Sequence, residues 1–269
     1  MSAFKPTEKE LLLDAIAQSL GQKAIETVEP QEVKEPEEEE EETELPQNGP
    51  VCMTQKALPR DWKPNGVSDI VVGFNNECPR WVPGSVIRWA AWRQGFETQE
   101  DADYAAMQLA IAADAWNKAD IGVTFEWVHL AKDATFVLYH AGNGDGTLAQ
   151  AFFPNGDDLS SMLVFSDAFT PEWKPNMWKI FTHELGHVLG LRHEFAIAGL
   201  PIYGIRAEKQ GAVRLGKRDP KSVMTYAPEP PEIQESDIES TKMFYSLKPD
   251  EQGNPPKVGF TKVKDYIPS

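Results

Sequence analysis

Residues 183–194, His-Glu-Leu-Gly-His-Val-Leu-Gly-Leu-Arg-His-Glu, hold three of the chain's five histidines and leave little freedom in how the backbone around them folds. Side chains four apart on a helix lie one above the other on one face. His183 and His187 therefore reach a single ion together if this stretch is helical. Glu184 is one step round the same helix, close to a metal-bound water but not spaced as a third helical ligand. Gly190, three residues after His187, is the residue type that closes a helix in the left-handed conformation, and a turn there brings His193 back as a third ligand. Three imidazoles with one open position form the donor set of a catalytic zinc rather than a structural one. A zinc so held lowers the pKa of its water to about 7, and Glu184 is then the general base that takes the water's proton. A helix with surface histidines is the plainer alternative, and it gives Gly190 and His193 no role.

The length of 269 residues allows one sizeable domain with extensions. The net charge of −16 is unevenly placed: residues 26–44 carry eleven Glu against one Lys. No basic stripe or nucleic-acid motif is present, so no nucleic-acid partner is expected. No apolar run approaches the length of a membrane span. The first twenty residues mix Lys5, Glu8, Lys9 and Glu10 with a short apolar patch broken by Asp14, which does not read as a signal peptide. The expected location is cytoplasmic, or outside the cell by a non-classical route. Cys52 and Cys78 are too few for a disulfide scaffold; one bridge or two free thiols are equally open.

Four regions follow from composition and pattern. Residues 1–25 read as a short helical segment, with Thr7 and Glu10 as a capping box ahead of Leu11, Leu12, Leu13, Ile16 and Leu20. Residues 26–50 read as an acidic disordered linker, too poor in apolar residues to repay ordering. Residues 51–247 form the globular domain, and 248–269 a C-terminal tail. Within the domain, 68–74, 85–92, 123–130, 133–140, 148–153 and 162–167 are strand-like. Pro-Arg-Trp at 79–81 marks a loop, 98–118 is an amphipathic helix, 177–189 is the histidine helix with Asn176 as its cap, and a last helix starts near Ser236. The order predicts an α+β fold, helices packed on a mixed sheet.

The motif with its third histidine, followed by Ser222-Val223-Met224-Thr225-Tyr226, resembles the metzincin zinc endopeptidases. The resemblance covers about residues 60–247. It implies a twisted, mixed five-stranded sheet with helices, an active-site helix, and a C-terminal subdomain in which Met224 forms the methionine turn beneath the metal. It implies one catalytic zinc ion on His183, His187 and His193, with Glu184 as base. Tyr226 matches an astacin and serralysin tyrosine that ligates zinc or helps hold the oxyanion; an ordinary buried tyrosine is its alternative. Leu148-Ala149-Gln150-Ala151, with Phe152-Phe153-Pro154, looks like the matrixin edge strand that binds substrate, and an exposed edge suits an extended peptide. Matrixins hold a second zinc through histidines around this strand. Gln150 stands at a matching position here, so no second zinc is expected, and His129 and His140 are ordinary strand histidines. The turns at Asp145, Asp157 and Asp158 lack the ligand count of a calcium loop, and solvated turns are favoured over calcium. Glu194 is astacin-like. In mature astacins that glutamate pairs with a buried N-terminus; its alternative is a solvated carboxylate.

The function so implied is hydrolysis of internal peptide bonds in extended protein or peptide substrates. The competing reading is a catalytically silent metzincin-fold binding module with a structural zinc, which predicts a damaged site, whereas Glu184 and all three histidines are present. The loop 195–223 carries Arg206, Lys209, Arg214, Lys217, Arg218 and Lys221 against Glu208 and Asp219. It reads as a solvated basic loop or as a preference for acidic side chains beyond the cleaved bond. Autoinhibition by the N-terminal segment has two forms: a thiolate of Cys52 or Cys78 on the metal, or the glutamate run over the basic loop.

Overall fold

The computed structural model describes residues 8–20, 26–30, 51–52, 69–74, 76–197, 211–216, 218–227 and 229–269. The elements follow in the order α1 (Glu8–Leu20), β1 (Val51–Cys52), β2 (Asp69–Val72), β3 (Glu77–Trp81), β4 (Val86–Ala91), α2 (Gln99–Lys118), β5 (Thr124–Trp127), β6 (Phe136–His140), β7 (Thr147–Gln150), β8 (Ser160–Val164), α3 (Met177–Val188), β9 (Leu191–Arg192), β10 (Val213–Gly216), α4 (Glu235–Ser246), β11 (Lys257–Val258) and β12 (Thr261–Tyr266). This is the mixed α+β arrangement expected. The main sheet runs β7-β8-β6-β4-β5, with the two residues of β1 added beyond β7. Pairs β8–β6, β6–β4 and β4–β5 are parallel and β7–β8 is antiparallel.

Alternation along the strands sorts their side chains onto two faces. Trp89, Ala91, Phe136 and Leu138 join the main core, which α2 and α3 complete with Leu109, Trp116, Phe181 and Leu185. The inward face of α2 is largely alanine, at Ala102, Ala105, Ala106, Ala112 and Ala113, and small side chains let α3 lie close along it. Thr98 caps α2 by accepting from Asp101 N at 3.0 Å. Ala90 and Val137 face the other way. They form a smaller cluster with Ala131, Ala134 and Leu13 of α1. The N-terminal helix thus docks on the outer face of the sheet, where Lys9 Nζ also donates to Ala134 O. Thr7 and the side chains of Leu12, Ile16 and Leu20 lie outside the described residues.

Three segments differ from the sequence reading. Residues 26–28, expected within the disordered linker, are pinned to the domain. Glu26 and Thr27 bridge to Leu130 and Trp92, Val28 N donates to Ala91 O at 2.9 Å, and Trp127 Nε1 donates to Val28 O at 3.0 Å. Val28 is buried in the main core and its backbone is paired on both sides; residues 31–50 lie outside the described set. Pro-Arg-Trp, expected as a loop, is the end of β3. Proline is tolerated there because, among the described residues, β12 is the strand paired with β3 at Pro79, and the bridge on the other side is confined to Glu77 and Phe74. The expected C-terminal tail is a strand: β12 lies parallel to β3 along five residue pairs. Buried Arg80 fastens it, donating to Asp265 Oδ1 at 2.6 Å, to Leu247 O at 2.9 Å and to Phe244 O.

Candidate metal centre

Helix α3 carries His183 and His187 on one face, their ring centroids 4.9 Å apart. Side chains from three other elements fix the helix by bonding its carbonyls. Trp116 Nε1 donates to Thr182 O at 2.9 Å, Trp81 Nε1 to Val188 O at 2.8 Å, and Tyr245 Oη to Leu189 O at 3.0 Å. Two of these acceptors are carbonyls that the helix end leaves without an intrahelical partner. Gly190 then closes the helix at φ +90. A Cβ there would stand 2.2 Å from Pro79 O, so the position needs glycine for space as well as for conformation. The chain continues as β9 and delivers His193, whose ring centroid lies 4.7 Å from that of His187 and 5.2 Å from that of His183.

The three rings offer ligand atoms that all lie within 4.8 Å of one another, and all three residues are buried. His183 Nδ1 lies 2.7 Å from Val223 O and His187 Nδ1 lies 2.7 Å from Leu191 O. Carbonyls only accept, so these nitrogens carry the proton and each Nε2 presents a lone pair. His187 Nε2 is 3.3 Å from His193 Nε2. His183 Nε2 is buried with no hydrogen-bond partner, a costly arrangement unless an ion takes the lone pair. Burial, and then repulsion from His193, pushes the His183 imidazole down to about 3; His187 is lowered in the same direction, again by burial first. Neutral, inward-pointing imidazole is the metal-binding form, so the donor set fits a zinc ion.

Glu184 is buried on the same helix. Met224 lies under the site against Gly186, where a Cβ would come 2.3 Å from its Sδ. The turn holding Met224 is anchored by Asp237 in the first turn of α4. Its carboxylate accepts from Ser222 Oγ at 2.6 Å, from Val223 N at 2.9 Å and from Gln234 N at 2.9 Å. One carboxylate therefore caps α4 and holds the amide of Val223, the residue whose carbonyl meets His183 Nδ1. Tyr226 packs beside the histidines, edge-on to His193 at 4.9 Å between centroids and tilted against His183 at 5.9 Å.

Leu148, Ala149 and Ala151 are buried and Gln150 is half-buried, with Ala149 and Gln150 paired to Val164 and Leu163 of β8. The strand is not a free edge as expected: Val51 and Cys52 pair with it in parallel, opposite Thr147 and Ala149. Just beyond it Phe153 packs edge-on to His187, at 5.6 Å, and stacks on Phe74. His140 lies apart from the triad and is paired with Ser166 Oγ at 3.0 Å, and His129 packs edge-on against Trp127. Asp145 N and Asp157 N bond the side chains of Asn143 and Asn155, as in ordinary polar turns. Cys78 is a free, buried thiol pushed up to about 12 by burial and then by Glu77, which disfavours the thiolate form that binds a metal.

Glu194 departs from both readings of the sequence. It is buried, 3% exposed, and paired with Arg214, whose Nη1 lies 2.6 Å from Oε1. Arg206, Lys209 and Lys217 of the basic loop lie outside the described residues. The sequence also gave no notice of the roles of Gly186, Trp81 and Asp237; a glutamine and an aspartate three apart at a helix start was the only available sign of the last.

The family model described as matrixin matches residues 85–226, more than half of the chain. No curated protein matches the chain. Among solved structures, the chain is similar to high choriolytic enzyme 1, a hatching-enzyme zinc protease from the medaka fish Oryzias latipes. The identity is 13% and the TM-score 0.36, over 71% of this chain and 98% of that one.

Proposed function

The chain belongs to the matrixin family, and so to the metzincin zinc metalloendopeptidases, and on that premise we propose that it cleaves internal peptide bonds with Glu184 as its general base. The observation that carries the reading is the buried His183 Nε2, which has no protein partner and faces the other two imidazoles. A zinc ion held by His183, His187 and His193 supplies a Lewis acid and an acidified water. Glu184 takes the proton of the attacking water and passes it to the leaving amine, work that a buried carboxylate performs with a typical gain of about 10²–10⁴. Tyr226 stands beside His183 and His193 and donates to the oxyanion of the substrate carbonyl. The substrate extends along Leu148, Ala149, Gln150 and Ala151 as an added strand. It competes there with Val51 and Cys52, which lie on the same edge, so the N-terminal segment acts as an internal inhibitor of its own cleft.

The test joins metal content to cleavage of casein, with and without a chelator, in the wild type and in Glu184→Ala. The expected result is one bound zinc in both proteins and cleavage only in the wild type, abolished by the chelator. Cleavage by Glu184→Ala near the wild-type rate removes Glu184 as the base. A wild type that binds zinc but leaves peptides intact points instead to a binding module.

A further inference from the structure

Glu194 follows the third histidine directly, and the structure gives it an internal counter-ion that no feature of the zinc motif requires. Its side chain is 3% exposed. A carboxylate buried so deeply is costly unless a cation meets it in good geometry. Arg214 provides that from β10: Nη1 lies 2.6 Å from Glu194 Oε1 and Nη2 lies 3.3 Å from Glu194 O. One guanidinium thus grips the side chain and the main chain of the same residue. Arginine presents such donors in a rigid fork, and lysine does not. The side chain of Arg214 is 13% exposed, whereas Arg218, 3.9 Å from the same carboxylate, is 57% exposed and peripheral.

Sheet geometry shows what the grip holds. Strand β2 lies between β10 and β9, and Val71 is opposite Arg214 on one side and Arg192 on the other. His193 leaves the end of β9, and the next amide, Glu194 N, donates to Met224 O at 2.8 Å. The residue after the third ligand is therefore tied to the methionine turn by its amide and to β10 by its carboxylate and carbonyl. We propose that Arg214 is a positioning residue which, through Glu194, holds His193 in register with the other two ligands. Resting on the zinc-site reading above, this adds that the third ligand is set by a strand reached only after the loop.

The experiment uses the full chain, stripped of metal and titrated with cobalt(II) and with zinc against a chromogenic chelator. The variants are Arg214→Lys and Arg214→Ala. Altered groups behind metal ligands typically change metal affinity by about 10–100-fold. Zinc affinity is expected to fall by that order in Arg214→Ala and by less in Arg214→Lys. In both, the visible bands of bound cobalt should shift, because the third imidazole is displaced. Should Arg214→Ala fail to fold, Arg214→Lys decides. A folded Arg214→Lys with the wild-type cobalt spectrum and zinc affinity overturns the proposal. A wild type that binds neither metal instead overturns the zinc-site reading on which it rests.

Discussion

Replacing Gly190 with alanine measures how far the turn after α3 depends on having no side chain, and two costs add. At φ +90 an L-residue sits in the left-handed region, at about 1–2 kcal/mol. The new Cβ would also stand 2.2 Å from Pro79 O. That atom is backbone of a buried strand and cannot rotate aside like the tip of a side chain. Overpacking of this kind costs about 1–3 kcal/mol. The sum, about 2–5 kcal/mol, is a large part of the ~5–15 kcal/mol that holds a typical domain together. At roughly 2–4 °C per kcal/mol for a domain of this size, Gly190→Ala should melt about 4–20 °C below wild type. Gly84→Ala separates the two costs. Its φ is +87 and nothing lies within 4 Å of the added Cβ, so only the conformational penalty applies, about 1–2 kcal/mol. Thermal unfolding is followed by circular dichroism, with excess chelator and again with zinc. A ligand at a thousand times its Kd adds about 4 kcal/mol to the folded state. Wild type and Gly84→Ala should gain it in full, and Gly190→Ala less, since its third ligand is displaced. Equal melting of the two variants, or equal zinc gains in all three proteins, would refute the reasoning.

The zinc-free chain should lose stability as pH falls from 6.5 towards 3. His183 is depressed to about 3 from its ordinary 6.5, so between those values the unfolded chain binds the proton that the folded chain refuses. This contribution is complete above pH 6.5 and is lost on acidification, at about 1.4 kcal/mol per pH unit for each such histidine; a flat melting profile over pH 4–6.5 contradicts it. Asp265→Ala strips buried Arg80 of its carboxylate partner and should lower stability by about 1–3 kcal/mol, read as a lower urea midpoint at unchanged slope; an unchanged midpoint makes β12 a mere tail. Deleting residues 1–52 uncovers β7 and should lower KM for a peptide substrate with kcat unaltered. Two residues of ladder are worth about 1–3 kcal/mol at 0.5–1.5 kcal/mol per net hydrogen bond, so the fall is at most about 150-fold, and an unchanged KM removes the inhibitor role.

Much of the site was legible because its information is local. The four-residue spacing of His183 and His187 and the glycine that ends their helix use only the geometry of a helix and its cap. The apolar run that opens Phe136–His140 and the period of Gln99–Lys118 likewise report burial that each element carries in its own pattern. What stayed hidden depends on partners far along the chain. Pro79 read as a loop because proline breaks a sheet interior, yet among the described residues Pro79 has a strand partner on one side, in β12. Thr261–Tyr266 read as a tail because its lysines and aspartate hide the strand pattern, while a single arginine far upstream makes that aspartate structural. Strand β7 read as a free edge because Val51 and Cys52, the first two residues of the domain, carry no pattern by which they could be assigned to it.

Charge bookkeeping failed for a different physical reason. The loop after His193 carries a net positive sum that reads as a solvated surface or as a selector of acidic side chains. A sum treats Arg214 and Arg218 alike. In the structure Arg214 is spent on a carboxylate inside the protein, whereas Arg218 keeps most of its surface in water. A buried pair at 2.6 Å is close to neutral when seen by an approaching substrate. Long-range steering by this loop therefore rests on fewer cations than the sequence counts, and each exposed one is weakened by salt beyond about 8–10 Å. Glu194 and Arg214 contribute to the local geometry of His193 instead, where their separation and burial make the interaction least sensitive to the solvent.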